Sequence, residues 1–330
     1  MEVKVSRMKR SWRQFFTRGT NWFLVALLSI ALIIALILTV YTLAKPAPHE
    51  AEPASPQYVV DDLGRLVAIN GTPQRIISLA PSNTEVLFAL GLGDKVVGVT
   101  MYCDYPPEAL NKTKVGGYYG PDIEKIIALQ PDLILATDFH RFELIPALEE
   151  QGFTVFAVAP QTLDDVLESI QTVGNITGKE QEASGLVNEM QSKIEEIEEL
   201  TQGLGERPRV FYVTWHDPIW TVGRNTWIDN LIWIAGGNNT FSQYFESGAM
   251  VEIEWVLFCN PEVIITSSWP DVHEWAMNST ALEVTDARQN GRVYTCDDNL
   301  VQRPGPRLVE GLEWFAYFIH PEIFEEPEGS

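Results

Sequence analysis

The chain has 330 residues, 45% of them hydrophobic and 21% charged, with a formal net charge of -22. That length suits two domains rather than one, and the composition excludes a disordered chain. The charge is divided: residues 1–45 hold seven of the 23 basic residues and one of the 45 acids, so residues 46–330 carry 16 basic against 44 acidic side chains, a net of -28. A surface that acidic repels phosphate backbones and excludes nucleic acid as a partner.

From Asn21 to Ala44 the chain passes 24 residues without a charge, mostly Leu, Ile, Ala and Val. A helix of about 20 residues crosses the hydrocarbon core of a bilayer, whereas the apolar part of a signal peptide runs to about 15. Residues 21–44 are therefore expected to be a retained transmembrane anchor. The basic segment 1–20 is then cytoplasmic, and the rest is extracytoplasmic at the cell membrane. The alternative is a long signal peptide cleaved after Thr42-Leu43-Ala44. Residues 45–57, with Pro46, Pro48, Pro53 and Pro56, form an extended linker.

Tyr58–Val60 and Leu66–Ile69 flank Asp61-Asp62-Leu63-Gly64 and predict a β-hairpin. The body then alternates strand and helix. RIISL at 75–79 is a strand, and Ser82-Asn83-Thr84-Glu85 reads as a capping box opening a helix that stops at Gly91. KVVGVT at 95–100 is the next strand. Asp122–Gln130 is a helix ended by Pro131, and DLILAT at 132–137 is a buried strand. A helix near 142–150, a strand at 153–158 and a helix at 162–173 follow. This order argues for a parallel sheet covered on both faces.

The chain does this twice. Residues 122–137 read DIEKIIALQPDLILAT and residues 252–267 read EIEWVLFCNPEVIITS: acid-Ile-Glu, an apolar helix face, Pro, acid, an apolar strand. Upstream of each lie a strand (75–80, 209–214) and a helix ending in Gly (84–93, 226–237). The fold expected is α/β, with two similar lobes of mainly parallel sheet, 58–174 and 208–322, and an acidic tail at 323–330. Between the lobes, 175–207 holds one helix with apolar residues at 186, 187, 190, 194, 197 and 200. At 1.5 Å per residue it runs roughly 35 Å over 180–202, a stiff connection. Three cysteines allow one disulfide, Cys259–Cys296, or three free thiols. Five Asn-x-Ser/Thr sequons, at Asn70, Asn111, Asn175, Asn238 and Asn278, fit an exterior protein.

The segments 75–109, 120–134, AGGNNTF at 235–241, 252–265 and RPGPRLVEGLEWFA at 303–316 resemble the periplasmic binding proteins of cobalamin and ferric-siderophore ABC transporters. Asp104-Tyr105-Pro106-Pro107 is most similar to the cobalamin branch, although Phe245–Met250 has no Trp where that branch carries one. The resemblance covers about 58–320. It implies two lobes joined by one long helix, a ligand cleft between them, and a permease dimer with its ATPase as partner. It also implies a non-enzymatic role, with a corrinoid as ligand or, alternatively, a ferric siderophore or haem, and no resident cofactor.

Aromatics crowd the loops after the strands: Tyr102, Tyr105, Tyr118 and Tyr119 in the first half, Trp215, Trp220 and Trp269 in the second. Ligands of open α/β sheets bind beyond the carboxyl ends of the strands, and aromatic faces suit a broad, flat, partly apolar ligand. Trp227 and Trp233, inside a helix, read as core. Arg303, after an expected strand at 296–298, lies where the family's Arg reaches the ligand; its alternative is a surface Arg at a helix entry. Glu124 and Glu254 occupy the same position in the two repeats. As first-turn acids they complement a helix dipole. The resemblance implies that they dock the two lobe tops on the permease. His140, His216 and His273 fall in loops after strands, so a bare metal site and a metal-dependent enzyme on this scaffold form the opposing reading. None of the three has a partner at ligand spacing. The chain has no G-x-S-x-G, H-E-x-x-H or phosphate-loop motif.

Overall fold

The computed structural model describes residues 22–41 and 55–328. The basic segment, Thr42–Ala44, most of the Pro-rich linker and the last two residues lie outside the described residues. Residues 1–54 and 55–330 are separate compact units. In the first, Trp22–Tyr41 forms helix α1, 20 residues with a mean hydropathy of 3.1 and every side chain exposed, long and apolar enough to cross a membrane.

The second unit opens with the expected hairpin, β1 (Gln57–Val60) antiparallel to β2 (Leu66–Ile69). The first lobe follows: β3 (Ile76–Ser78), α2 (Pro81–Ala89), β4 (Val96–Val99), β5 (Thr113–Lys114), α3 (Ile123–Ala128), β6 (Leu133–Ala136), α4 (Leu144–Glu150), β7 (Val155–Ala157) and α5 (Leu163–Thr177). Its five strands lie in the order β5-β4-β3-β6-β7, all parallel. Helix α6 (Glu180–Thr201) leads to the second lobe: β8 (Arg209–His216), β9 (Ile219–Thr221), α7 (Trp227–Ile234), β10 (Asn238–Asn239), β11 (Ala249–Val251), α8 (Ile253–Cys259), β12 (Val263–Thr266), α9 (Pro270–Asn278), α10 (Asp286–Gln289), β13 (Val293–Thr295), α11 (Asp298–Val301) and α12 (Leu308–Ile319). The last strand thus ends before the expected 296–298. Its sheet runs β11-β9-β8-β12-β13.

The repeat read from the sequence is built from matching contacts. Arg75 directly precedes β3 and Arg209 begins β8, and each donates its Nε to a carbonyl at the end of α3 or α8: Leu129 O at 3.0 Å and Asn260 O at 2.8 Å. The acid after each Pro returns the bond. Asp132 accepts from the Arg75 amide at 2.9 Å and Glu262 from the Arg209 amide at 3.0 Å. Gln130 and Asn260, also at matching positions, end α3 and α8 in the left-handed region at φ 47° and 44°, a conformation that non-glycine residues seldom adopt. The lobes differ on one edge. In the first, β4 pairs with β3 in parallel along its length. In the second, the parallel strand after the helix, β10, meets β8 only at Arg209 and Val210. The β8–β9 hairpin takes the carboxyl half of that edge, antiparallel.

Alternation along the strands sorts the core. Val210, Tyr212, Val263 and Ile265 face one cluster; Phe211, Val213 and Ile264 face another. The first cluster is continuous between lobes, because it also holds Val86 and Leu87 of α2 and Leu90 just after it, Ala183, Met190 and Ile197 of α6, and Leu312 and Phe315 of α12. Helix α6 is therefore buried on both lobes rather than merely bridging them. Of its predicted stripe, Met190 and Ile197 are buried and Leu186, Val187 and Ile194 pack on them, while Leu200 is exposed. Thr201 fixes its end by donating to Ile234 O of α7 at 2.7 Å.

Three expectations are corrected. The capping box does not form: α2 starts two residues earlier, with Pro81 in its first turn and Ala80 as an N-cap without a side-chain bond. Pro supplies a preset φ and lacks only a donor that has no partner there. The Cys259–Cys296 bridge is not made, and Cys103, Cys259 and Cys296 are free thiols. Cys259 packs on the outer cluster of the second sheet and Cys296 belongs to the inner one, so the sheet stands between them. Trp233 is not core: it is 55% exposed, with the Arg207 guanidinium 3.8 Å over its ring.

Helices α5 and α6 meet at Gly174, where an added Cβ would lie 2.3 Å from that of Ala183. Gly174→Ala is therefore expected to lower stability by about 1–3 kcal/mol, the scale of overpacking in a close-packed interior. Combining it with Ala183→Gly should recover most of the loss in denaturant melts. No loss in the single variant would mean that the two helices can separate there.

Candidate functional site

The carboxyl ends of the strands in both lobes face one cleft of about 700 Å³. From the first lobe its walls are Ala80–Ser82 after β3, Tyr102 after β4, Tyr118 and Tyr119 after β5, Thr137 and Asp138 after β6, and Val158–Gln161 after β7. From the second they are Trp227 at the start of α7, Trp269 after β12, and Gln302–Pro304 after α11. Parallel strands all end on the same side, so their loops converge without any loop having to be long.

Tyr118 is held rigidly. Its hydroxyl lies 3.1 Å from the Thr137 hydroxyl, and its carbonyl lies 2.9 Å from His140 Nε2. Because His140 Nδ1 accepts the Thr137 amide at 3.1 Å, Nε2 carries the proton and donates it to that carbonyl. Burial pushes the His140 pKa below its ordinary value, which keeps the ring neutral for this role. Burial also raises the Tyr118 pKa and disfavours its phenolate. Tyr119 meets Tyr118 edge-on at 5.1 Å, and Phe139 meets Tyr119 at 4.8 Å, giving an aromatic wall on the first lobe.

Opposite it, Trp227 donates its indole N–H to Val301 O at 2.8 Å while its ring packs on the core and lines the cleft. Its helical position predicts core, and as a first-turn residue it is both core and cleft wall. Trp269 stands edge-on to Trp215 at 6.4 Å. Trp215 donates to Asp217 O at 2.9 Å, and its register partner across the hairpin is Trp220. Trp215 thus sits behind Trp269 at the rim. Trp220, 40% exposed, is not among the lining residues.

Arg303 lines the cleft, but its guanidinium is occupied. Its Nη1 donates to Asp104 Oδ1 at 2.6 Å and to Glu85 Oε1 at 3.1 Å, and its Nη2 lies 3.4 Å from Asp104 Oδ2. Glu85, whose side chain is 2% exposed, is also held by Arg307 through Nε at 2.9 Å and Nη2 at 2.7 Å. Arg307 in turn lies 3.9 Å over the Tyr105 ring. Tyr105 therefore faces away from the cleft, into a second cavity of about 550 Å³ between α2, α6 and α12. The Arg303 hydrogen bond holds the Asp104 pKa below the usual carboxylate range. For Arg303, burial works against the charge but the bonds from Asp104 and Glu85 outweigh it, so its pKa is raised. This network was not legible in advance. The signals for it are a lone Glu inside the apolar TEVLFAL run and two Arg four residues apart.

Glu124 and Glu254 sit in the first turns of α3 and α8, both exposed. Asp122 caps α3 by accepting the Lys125 amide at 3.1 Å, whereas Glu252 makes no cap bond for α8. Among the described residues no three His, Cys, Asp or Glu side chains converge as metal ligands.

Comparison with known proteins agrees with this architecture. Residues 76–300 match a family model described as periplasmic binding protein. An uncharacterized ABC transporter substrate-binding lipoprotein of Bacillus subtilis is 35% identical over 284 residues, 82% of this chain and 88% of its own length. The crystal structure of the periplasmic vitamin B12 binding protein of Vibrio cholerae superposes with a TM-score of 0.66 at 30% identity, covering 76% of this chain and 97% of that one. A periplasmic heme-binding protein from Roseiflexus, in its apo form, superposes with a TM-score of 0.68 at 25% identity, covering 76% and 99%. Two α/β lobes on a shared core, a cleft at the strand ends and these matches together place the chain in the periplasmic binding protein family.

Proposed function

We propose that the chain is the solute-binding component of an ABC import system, taking a corrinoid into the interlobe cleft and delivering it to a permease dimer with its ATPase. The observation that carries this reading is the cleft itself, about 700 Å³ with Tyr102, Tyr118 and Tyr119 on one lobe facing Trp227 and Trp269 on the other. Opposed aromatic faces suit a wide, flat, partly apolar ring. The Vibrio cholerae relative, described as binding vitamin B12, supports the same ligand class. Haem or a ferric siderophore is the second reading, favoured by the Roseiflexus relative.

Hydroxocobalamin titrated into the full chain in detergent should quench Trp fluorescence. Trp227→Ala and Trp269→Ala should each weaken binding by about 1–3 kcal/mol, the scale of one buried aromatic, and Trp220→Ala by less. Absence of quenching and of binding at micromolar corrinoid would overturn the ligand assignment in favour of haem or a siderophore.

Helix α1 is proposed to anchor the cleft-bearing unit outside the cell membrane; its 20 residues and mean hydropathy of 3.1 support this. The mature protein should retain residues 1–45 and remain with membranes through a high-salt wash. An N-terminus near Lys45 would show instead that the segment is a cleaved signal.

Glu124 and Glu254 are proposed to dock on the permease. Equivalent exposed acids on two equivalent helices match a two-fold partner, one per subunit. Changing both to Lys should leave ligand affinity unchanged and abolish uptake, because like charges would then meet. Normal uptake by that variant would leave these residues as first-turn acids and nothing more.

A further inference from the structure

Among the residues that line the cleft, only Asp138 and Arg303 are charged at neutral pH. They are not equally available. Asp138 is exposed and, among the described residues, forms no ion pair; its carboxylate accepts the neighbouring Phe139 amide at 2.9 Å. Arg303, by contrast, has a side chain only 15% exposed and two carboxylates upon it, with Asp104 at 2.6 Å and Glu85 at 3.1 Å. Glu85 cannot release it cheaply, since a carboxylate with 2% exposure depends on its partners. An anionic group entering the cleft would therefore shed its hydration, meet Asp138 as a like charge, and find the nearby guanidinium already neutralised. An uncharged amide loses far less on desolvation and can donate its N–H to the side-chain oxygens of Gln161 and Gln302, whose Nε2 groups already donate to Ala159 O at 3.1 Å and to Asp298 Oδ1 at 2.7 Å.

We infer that Asp104, together with Glu85, determines the charge of the ligand: by holding Arg303 they withdraw the lining's one cation, so the cleft takes a macrocycle with uncharged amide arms in preference to the same ring bearing carboxylates. This rests on the corrinoid reading above. Asp104 is the adjustable member, because its side chain is 53% exposed while Glu85 is shared with Arg307.

The test compares two corrinoids that differ only at the periphery: dicyanocobinamide, whose seven arms end in amides, and dicyanocobyrinic acid, whose seven arms are carboxylates. Calorimetry on the full chain in detergent should show at least a tenfold preference for the amide form. Asp104→Asn removes one acid from Arg303 and should reduce that preference at least fivefold, mainly by strengthening binding of the carboxylate form. Equal affinities in the unaltered protein would mean that Arg303 leaves Asp104 for the ligand. The inference would then fall while the corrinoid reading stood. A preference unchanged in Asp104→Asn would also overturn the assignment to Asp104. Binding of neither compound would remove the corrinoid reading, and the inference with it.

Discussion

A carboxylate with almost no contact with water must be paired, and in this protein Glu85 of α2 is paired by two guanidiniums from the other lobe. Losing one member of such a group costs about 3–5 kcal/mol, because the remaining charge is stranded in a low-dielectric interior. The pairing therefore fixes where α2 sits against the chain entering α12, and with it the back wall of the cleft. It also decides what Arg303 can do. A residue that faces the cleft and would be taken for a ligand contact gives its Nη1 and one Nη2 hydrogen to carboxylates of the scaffold.

The same rigidity runs through the hydrophobic core. The lobes do not each close around a core of their own on every face; their inner faces share one cluster through α6. An Asn230 side chain of α7 also accepts the Leu163 amide at the start of α5, at 3.0 Å, which is a direct bond from lobe to lobe. Large hinge closure would have to break these contacts together. The cleft is thus largely formed before any ligand arrives, and its selectivity lies in the chemistry of fixed walls.

How much of this was legible in the sequence depended on range. Elements set by local periodicity and punctuation were readable: the hairpin at 57–69, the buried strands, the α6 stripe, and the repeated Pro-acid before β6 and β12. The repeat could be seen as a pattern, but not why it recurs. That reason is an Arg–carbonyl and acid–amide exchange between residues more than 50 positions apart. Misreadings came where two explanations fit one residue and only the tertiary partner decides. Glu85 stands three residues after a Ser and so reads as a cap, yet Pro81 takes the helix start and releases it. Tyr105 and Tyr102 are neighbours in one loop but face different cavities. Trp227 and Trp233 lie on one short helix and are, respectively, a cleft wall and a solvent-facing ring. Cysteine counting permitted a bridge that the intervening sheet forbids.

The two lobes match in framework and differ at one edge. Matching Arg–acid exchanges and left-handed helix ends recur 130 to 134 residues apart. In the first copy the strand after the helix still runs the full edge of its neighbour. In the second, that strand survives only as Asn238–Asn239, and the β8–β9 hairpin occupies the carboxyl half of the edge instead. A hairpin at that end of a strand extends the carboxyl side of the lobe and leaves the shared framework beneath unchanged. The hairpin carries Trp215 and Trp220 on one lobe only, so that a scaffold of like halves presents unlike lips, and a ligand entering it meets a molecule with a distinct front and back.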